Sequence, residues 1–184
     1  VFCIVDDGSN NNVLEELNDL KNSNIKCVIV QCKRQIDNIF GTDNTNIPGS
    51  LYPFTLYIGH EIIKNNCKIL GVLDSDAIIT PDYFKICKSF TKNLDMNNVI
   101  FSAFNSCSDC HKISGKDKIN DTEILYKNMV GGISQFYSVK LYEEFKYKFT
   151  GEESPNYWAC DYDFQISNYM MKNNKKYVCL KKSI

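Results

Sequence analysis

The sequence lacks several features that mark particular classes of protein. Arg34 is its single arginine, and 21 basic residues stand against 22 acidic ones, so the basic excess of a nucleic-acid-binding surface is missing. No apolar run approaches 18 residues, which predicts no membrane-spanning segment in this chain. Internal repeats and low-complexity linkers are absent as well. A single domain of 184 residues is the simplest interpretation.

Cysteine, by contrast, is abundant, with nine residues. Five of them lie in or beside apolar runs: Cys3, Cys27, Cys32, Cys67 and Cys87. A free cysteine in such a run behaves as a small core residue. This distribution favours a reducing, cytoplasmic compartment over a disulfide framework made in the secretory route. Because Val1 already lies inside a strand-like run, we expect a fragment whose natural start lies upstream.

Short apolar runs alternate with helical patterns in the first hundred residues. The strand-like runs occupy residues 1–5, 25–32, 68–73 and 98–104, and the helical periods occupy residues 13–22, 55–65 and 81–94. This alternation predicts an α/β domain with a mainly parallel, twisted sheet flanked by helices. The alternation then breaks. A polar excursion spans residues 105–121, and a last strand is expected at residues 175–180.

Two acidic clusters follow predicted strands, Asp6-Asp7 after the first and Asp74 with Asp76 after the third. Ligands of an open parallel sheet bind beyond the C-terminal ends of the strands. Strand periodicity puts Asp74 and Asp76 on one side of the chain if the extended form persists. Two close carboxylates repel unless a cation lies between them, and hard oxygen ligands suit Mg²⁺ or Mn²⁺. The alternative is that one of them caps a helix starting near Pro81.

Three short motifs occur in order along the chain. They read Ile4-Val5-Asp6-Asp7-Gly8-Ser9, Asp74-Ser75-Asp76 and Cys160-Asp161-Tyr162-Asp163-Phe164. Together they resemble the nucleotide-sugar-dependent glycosyltransferases of the GT-A fold, in particular inverting family 2 and its relatives. The resemblance covers most of residues 1–180. It implies one Rossmann-like GT-A domain over residues 1–184 that lacks its first strand, with a nucleotide-binding half at 1–104 and an acceptor and catalytic half at 105–184.

The resemblance also implies an activity and a donor site. The activity is metal-dependent transfer of a sugar, with inversion, from a nucleotide diphosphate-sugar such as a UDP-sugar to a hydroxyl of a glycan, protein or lipid acceptor. Asp6 would hydrogen-bond the nucleotide base, with Asp7 and Ser9 shaping the loop around it. Asp74 and Asp76 would contact the ribose and the Mn²⁺ or Mg²⁺ ion on the diphosphate.

On the acceptor side, the resemblance implies that Asp161 is the catalytic base. Asp163 is its rival, because residues two apart on a helix point to different sides and only one can face the acceptor. A glycine turn that includes Gly132 would lie near the donor sugar and the acceptor. Two departures stand out: Cys160 replaces the acidic residue usual before the base, and no histidine follows as a further metal ligand.

Other functions compete with this interpretation. Residues 107–111 spell the C-x-x-C-H pattern of haem attachment, but nothing else in the sequence supports haem, so we interpret them as a surface loop, with a zinc or redox pair as the alternative. Haloacid-dehalogenase-like phosphoryl-transfer enzymes also place Asp-x-Asp at a strand end, but continue it with Thr or Val where Ala77-Ile78 stands here. A catalytically inactive nucleotide-sugar-binding module would carry the same motifs as the enzyme.

Overall fold

The computed structural model describes residues 1–6, 11–22, 26–31, 51–105, 111–149 and 161–184. The strands are β1 Phe2–Asp6, β2 Cys27–Gln31, β3 Ile69–Leu73, β4 Val99–Ser102, β5 Ile113–Ile119, β6 Thr122–Lys127, β7 Ser134–Ser138 and β8 Lys176–Leu180. The α-helices are α1 Asn11–Lys21, α2 Leu51–Ile63, α3 Tyr83–Asn93, α4 Val139–Phe145 and α5 Asp161–Lys172. Short 3₁₀ turns at Lys64–Asn66 and Lys146–Phe149 follow α2 and α4. None of the helices in these ranges is long and apolar enough to cross a membrane.

The fold is α/β, and its principal sheet has six strands in the order β3-β7-β4-β8-β6-β5. Only the β4–β8 pair in this sheet is parallel, while the other four pairs are antiparallel. The prediction of a mainly parallel sheet is therefore wrong. The reason is that β7 lies between β3 and β4 and runs against both, and that β5 and β6 add an antiparallel hairpin.

The first two strands form a separate, parallel two-stranded sheet. A sheet of two strands has little stability of its own and depends on packing. Here α2 provides it: an ideal Cβ on Gly59 would lie 3.3 Å from Cγ2 of Val5 and 3.9 Å from Sγ of Cys3. The same helix also packs Leu56 and Ile63 against the core of the six-stranded sheet. The sequence also predicts that strands alternate with helices in the first hundred residues. The described residues confirm this alternation.

The six-stranded sheet is covered on both faces. We call the face that packs against α4 and α5 face A and the face that packs against α3 face B. Strand β4, all four of whose residues are buried, shows the alternation, since Ile100 joins the core of face A and Phe101 that of face B. Face A is filled mainly by aromatic and aliphatic side chains from β7, α4 and α5, among them Tyr137, Tyr142, Phe145, Ile166 and Met170.

The β5–β6 hairpin was not predicted, because residues 105–121 were interpreted as a polar excursion. Strand β5 lies at the sheet edge and is half-buried at most, so its sequence carries no apolar signal. Its turn is formed by Asn120 and Asp121, with φ angles of 48° and 62°. Asn and Asp tolerate this left-handed conformation, which tight hairpin turns require. Lysines along β5 also discourage edge-to-edge association.

Candidate active site

Two of the acidic residues predicted from sequence, Asp74 and Asp163, lie at one edge of the six-stranded sheet. Strands β3 and β4 both run against β7, and β8 runs parallel to β4, so β3, β4 and β8 end at the same edge. We call this the C-terminal edge. Asp74 follows β3 there. Asn105, which follows β4, donates its backbone N–H to Ser183 Oγ (2.9 Å) after β8 and so ties the ends of these two strands together.

Asp74 begins a tight turn rather than continuing the strand. The backbone amide of Ala77 donates to the carbonyl oxygen of Asp74 at 3.1 Å. Asp and Ser at the start of a turn are favoured for their own local hydrogen bonding. Asp74 is half-buried and Asp76 is exposed. The chain does not stay extended after β3, so strand periodicity does not place Asp74 and Asp76 on the same side. The turn determines how the two carboxylates lie relative to each other.

The helix-cap interpretation of these carboxylates is wrong. Helix α3 begins at Tyr83, and its N-cap residue is Asp82, which makes no side-chain capping hydrogen bond. Asp74 and Asp76 precede that cap by six residues or more along the chain. Neither carboxylate therefore caps α3.

The turn that contains Gly132 lies directly against Asp74. The backbone amide of Asp74 donates to the carbonyl oxygen of Ile133 at 3.0 Å, one step beyond the last strand pair, Leu73 with Ser134. Glycines at 131 and 132 leave the backbone of this turn without side chains. A ligand at Asp74 could therefore approach the backbone of the turn closely.

A buried hydroxyl pair lies near the start of β7 and ties α3 to that strand. Tyr83 Oη and Ser134 Oγ lie 2.6 Å apart, and both side chains are fully buried. Burial raises the pKa of Tyr83 well above its ordinary value, more than the hydrogen bond with Ser134 lowers it. The phenol is consequently neutral, and it joins the first turn of α3 to the first residue of β7.

Helix α5 brings the third motif to the same edge. Asp161 is its first residue, and the side chain of Asp161 lies outside what the structure describes. Asp163 is half-buried, and its Oδ1 lies 3.4 Å from Nε2 of Gln135, the second residue of β7. Gln135 Nε2 is also 3.4 Å from the carbonyl oxygen of Gly131. Asp74, the turn that contains Gly132 and Asp163 are thus linked at the C-terminal edge by hydrogen bonds to Ile133 and from Gln135.

The first motif is placed differently. Asp6 is buried at the end of β1, opposite Gln31, on the separate two-stranded sheet. The rings of Phe2, at the start of the same strand, and Phe84, in the first turn of α3, meet edge to face with centroids 5.4 Å apart. Asp7 and Ser9 lie outside the described residues.

The one described histidine inside the core does not supply a metal ligand. His60 Nδ1 lies 2.5 Å from the carbonyl oxygen of Leu56, so Nδ1 carries the proton, and Nε2 accepts from the phenol of Tyr137 at 2.9 Å. Burial lowers the pKa of His60 to about 4, although the Leu56 carbonyl and the charge of Glu61 act in the opposite direction. Both ring nitrogens are engaged in the core, and the ring stacks on Tyr142.

The carboxylate oxygens of Asp74 and Asp76 are ligands of the type that suits a divalent cation. Within the described ranges, no three His, Cys, Asp or Glu side chains gather into a metal site. Two carboxylates are nevertheless the kind of incomplete donor set that Mg²⁺ and Mn²⁺ accept, since the remaining positions go to water and phosphate. The exposure of Asp76 leaves room for such a ligand.

Three residues of this site were not predicted from sequence: Tyr83, Ser134 and Gln135. The sequence contained one signal for Gln135. In the strand-like run from Ile133 to Tyr137, the residues two before and two after this amide are apolar, so the amide lies on the apolar side of the strand. Buried amides in such positions need a hydrogen-bonding partner. For Tyr83 and Ser134, the partner is 51 positions away in the sequence, so no local pattern could identify the pair.

No protein-family model matches this chain, and no curated protein does either.

Proposed function

We propose that this protein is a metal-dependent glycosyltransferase that moves a sugar, with inversion, from a nucleotide diphosphate-sugar to an acceptor hydroxyl. The observation that carries the proposal is the convergence at the C-terminal edge. Asp74 is hydrogen-bonded to the turn at Ile133, and Asp163 reaches Gln135 in the strand that begins at this turn. Segments about 60 and 30 residues apart along the sequence thus meet at the edge where β3, β4 and β8 end.

The donor would bind on the side of the Asp74–Asp76 turn. Asp74 and Asp76 would hold Mn²⁺ or Mg²⁺, and the bound ion would act as a Lewis acid toward the diphosphate leaving group. Gly131 and Gly132 leave backbone exposed beside Asp74 for the donor sugar. Asp6, with Asp7 and Ser9, is proposed to recognise the base, as the resemblance implies, and a uridine nucleotide is the first candidate.

The acceptor would be activated at the start of α5. Sugar transfer with inversion needs a base on the side of the anomeric carbon opposite the leaving group. The resemblance assigns this role to Asp161, and Asp163 is the carboxylate for which the structure gives a contact at the C-terminal edge. A hydroxyl of a glycan, protein or lipid is the proposed acceptor.

A melting-temperature screen tests the proposal. We expect UDP with Mn²⁺ to raise the melting temperature well above UDP with a chelator, because a ligand that binds only the folded state stabilises it. UDP-sugars are then assayed for UDP release with sugar acceptors. Equal shifts with Mn²⁺ and with chelator would remove the metal role from Asp74 and Asp76. Hydrolysis of a phosphate monoester without sugar transfer would favour a phosphoryl-transfer enzyme instead.

A further inference from the structure

Gln135 is a polar side chain in a position where an apolar one would be expected. It lies in β7 on face A, two residues before Tyr137, and only 3% of its surface is exposed. Burial of an amide without hydrogen bonds costs free energy, on the order of 1–3 kcal/mol by mutational data. A glutamine at such a site needs partners that account for it.

Its partners belong to two parts of the proposed site, the start of α5 and the glycine turn. Nε2 of Gln135 lies 3.4 Å from Oδ1 of Asp163 and 3.4 Å from the carbonyl oxygen of Gly131. A side-chain amide nitrogen carries two hydrogens, so one Gln135 can donate to both acceptors. The residue thus links the start of α5 to the glycine turn beside Asp74.

The structure describes this link for one of the two carboxylates of the motif. Asp163 contacts Gln135, whereas the side chain of Asp161 lies outside the described residues. Positions two apart on an ideal α-helix point to different sides, since each residue advances by about 100°. We therefore assign the amide of Gln135 to Asp163.

We infer that Gln135 is a positioning residue that holds the carboxylate of Asp163 beside the Gly131 turn, and that Asp163 is the acceptor base. The second part rests on the proposed function. In the reaction, the acceptor hydroxyl gives its proton to an Asp163 carboxylate oxygen. The hydroxyl oxygen forms the new bond to the anomeric carbon. The bond from that carbon to the diphosphate oxygen breaks, and its electron pair leaves with the diphosphate.

Nuclear magnetic resonance tests the contact without any assumption about activity. The side-chain amide signals of Gln135 are identified by their loss in Gln135→Met, with Gln135→Glu as a second variant should the first not fold. Asp163→Ala should shift the hydrogen-bonded proton of this amide to higher field, because its acceptor is gone. Asp161→Ala is the matched control and should leave the signals in place. Unmoved signals in Asp163→Ala, or equal shifts in both variants, would overturn the positioning role.

Kinetics test the catalytic part. We expect Gln135→Met to lower kcat about tenfold or more, since a misplaced catalytic group loses reactivity steeply, while KM for the donor stays the same. In an Asp163→Asn background, Gln135→Met should cause no further loss of kcat. A larger loss in Asp161→Asn than in Asp163→Asn would overturn the assignment of the base. If the wild-type protein transfers no sugar while the resonance shifts occur, the base role fails with the proposed function and the contact stands.

Discussion

The backbone amide of Asp74 donates a hydrogen bond to the carbonyl oxygen of Ile133, with the two atoms 3.0 Å apart. This bond extends the β3–β7 ladder one step past Leu73 and Ser134. It fixes the carboxylate turn against the glycine turn without using either side chain. The proposed donor site is therefore built on backbone that the six-stranded sheet holds in place.

The first prediction concerns Gly71, which pairs with Phe136 in the β3–β7 ladder. A Cβ at residue 71 would lie 2.7 Å from Cε1 and 2.8 Å from Cδ1 of the Phe136 ring. We expect Gly71→Ala to lower the free energy of unfolding by about 1–3 kcal/mol, since the half-buried Phe136 ring, which neighbours the rings of Tyr83 and Phe101, must move. Urea unfolding measures the change.

The control for Gly71 is Gly115→Ala in the edge strand β5. Its Cβ would meet Cδ2 of Tyr126 at 3.3 Å, which is a milder contact. A smaller loss is expected there. Phe136→Leu combined with Gly71→Ala should recover part of the stability, because the smaller side chain frees the space. Equal losses at the two glycines, without recovery, would argue against the β3–β7 register.

The second prediction concerns the buried hydroxyl pair of Tyr83 and Ser134. Tyr83→Phe removes the phenol and leaves the Ser134 hydroxyl buried without this partner. We expect a loss of about 1–3 kcal/mol in the free energy of unfolding. Ser134→Ala should cost a similar amount, and the double variant should lose less than the sum of the two. Additive losses would mean that the two hydroxyls do not interact.

The third prediction concerns pH and His60. Burial lowers the pKa of folded His60 to about 4, whereas histidine in an unfolded chain titrates near 6.5. Between these values the unfolded chain binds a proton that the folded protein does not. The free energy of unfolding should therefore fall as the pH falls from about 6.5 to 4, by about 3 kcal/mol in total. Urea midpoints between pH 7 and pH 5 measure most of this window.

Neighbouring carboxylates act at lower pH and can be separated from His60. Burial would raise the pKa values of Glu61, Glu143 and Glu144, but hydrogen bonds from lysine or tyrosine outweigh it and lower these values from 4.5. What the three carboxylates contribute to the free energy of unfolding is therefore lost only as the pH falls below 4.5. His60→Gln should be less stable at neutral pH but nearly independent of pH between 6.5 and 5. His111→Gln should keep the wild-type slope. A wild-type slope in His60→Gln would assign the effect to other groups.

The sequence predicted the described helices and strands of residues 1–104 because their apolar residues have a clear period. The predicted strand direction, mainly parallel, was wrong, because a run such as Ser134–Ser138 forms a strand of either orientation and packing determines its neighbours. The edge strand Ile113–Ile119 was missed since neither of its faces is fully buried. Local patterns report burial, and sheet order depends on contacts between distant residues.

For the candidate site, the sequence predicted which residues take part but not how they are arranged. Asp74, Asp76, Gly132 and Asp163 were all identified from motifs, because acidic and glycine residues at strand ends are conspicuous in sequence. Their arrangement was not, since the hydrogen bond between Asp74 and Ile133 joins segments that only the fold brings together. The buried amide of Gln135 could have been noticed as an exception within an apolar run, but its partner could not.

The most direct test of the account is calorimetric titration of UDP into the protein with Mn²⁺ and with a chelator. Asp76→Asn is compared with Asp82→Asn, which removes an exposed aspartate from the same β3–α3 connection, at the N-cap of α3. We predict that Mn²⁺ strengthens UDP binding in the wild type and in Asp82→Asn but not in Asp76→Asn. Binding of UDP that is equally strong with chelator, or an Asp76→Asn variant that responds to Mn²⁺ as the wild type does, would contradict the proposed metal-dependent donor site.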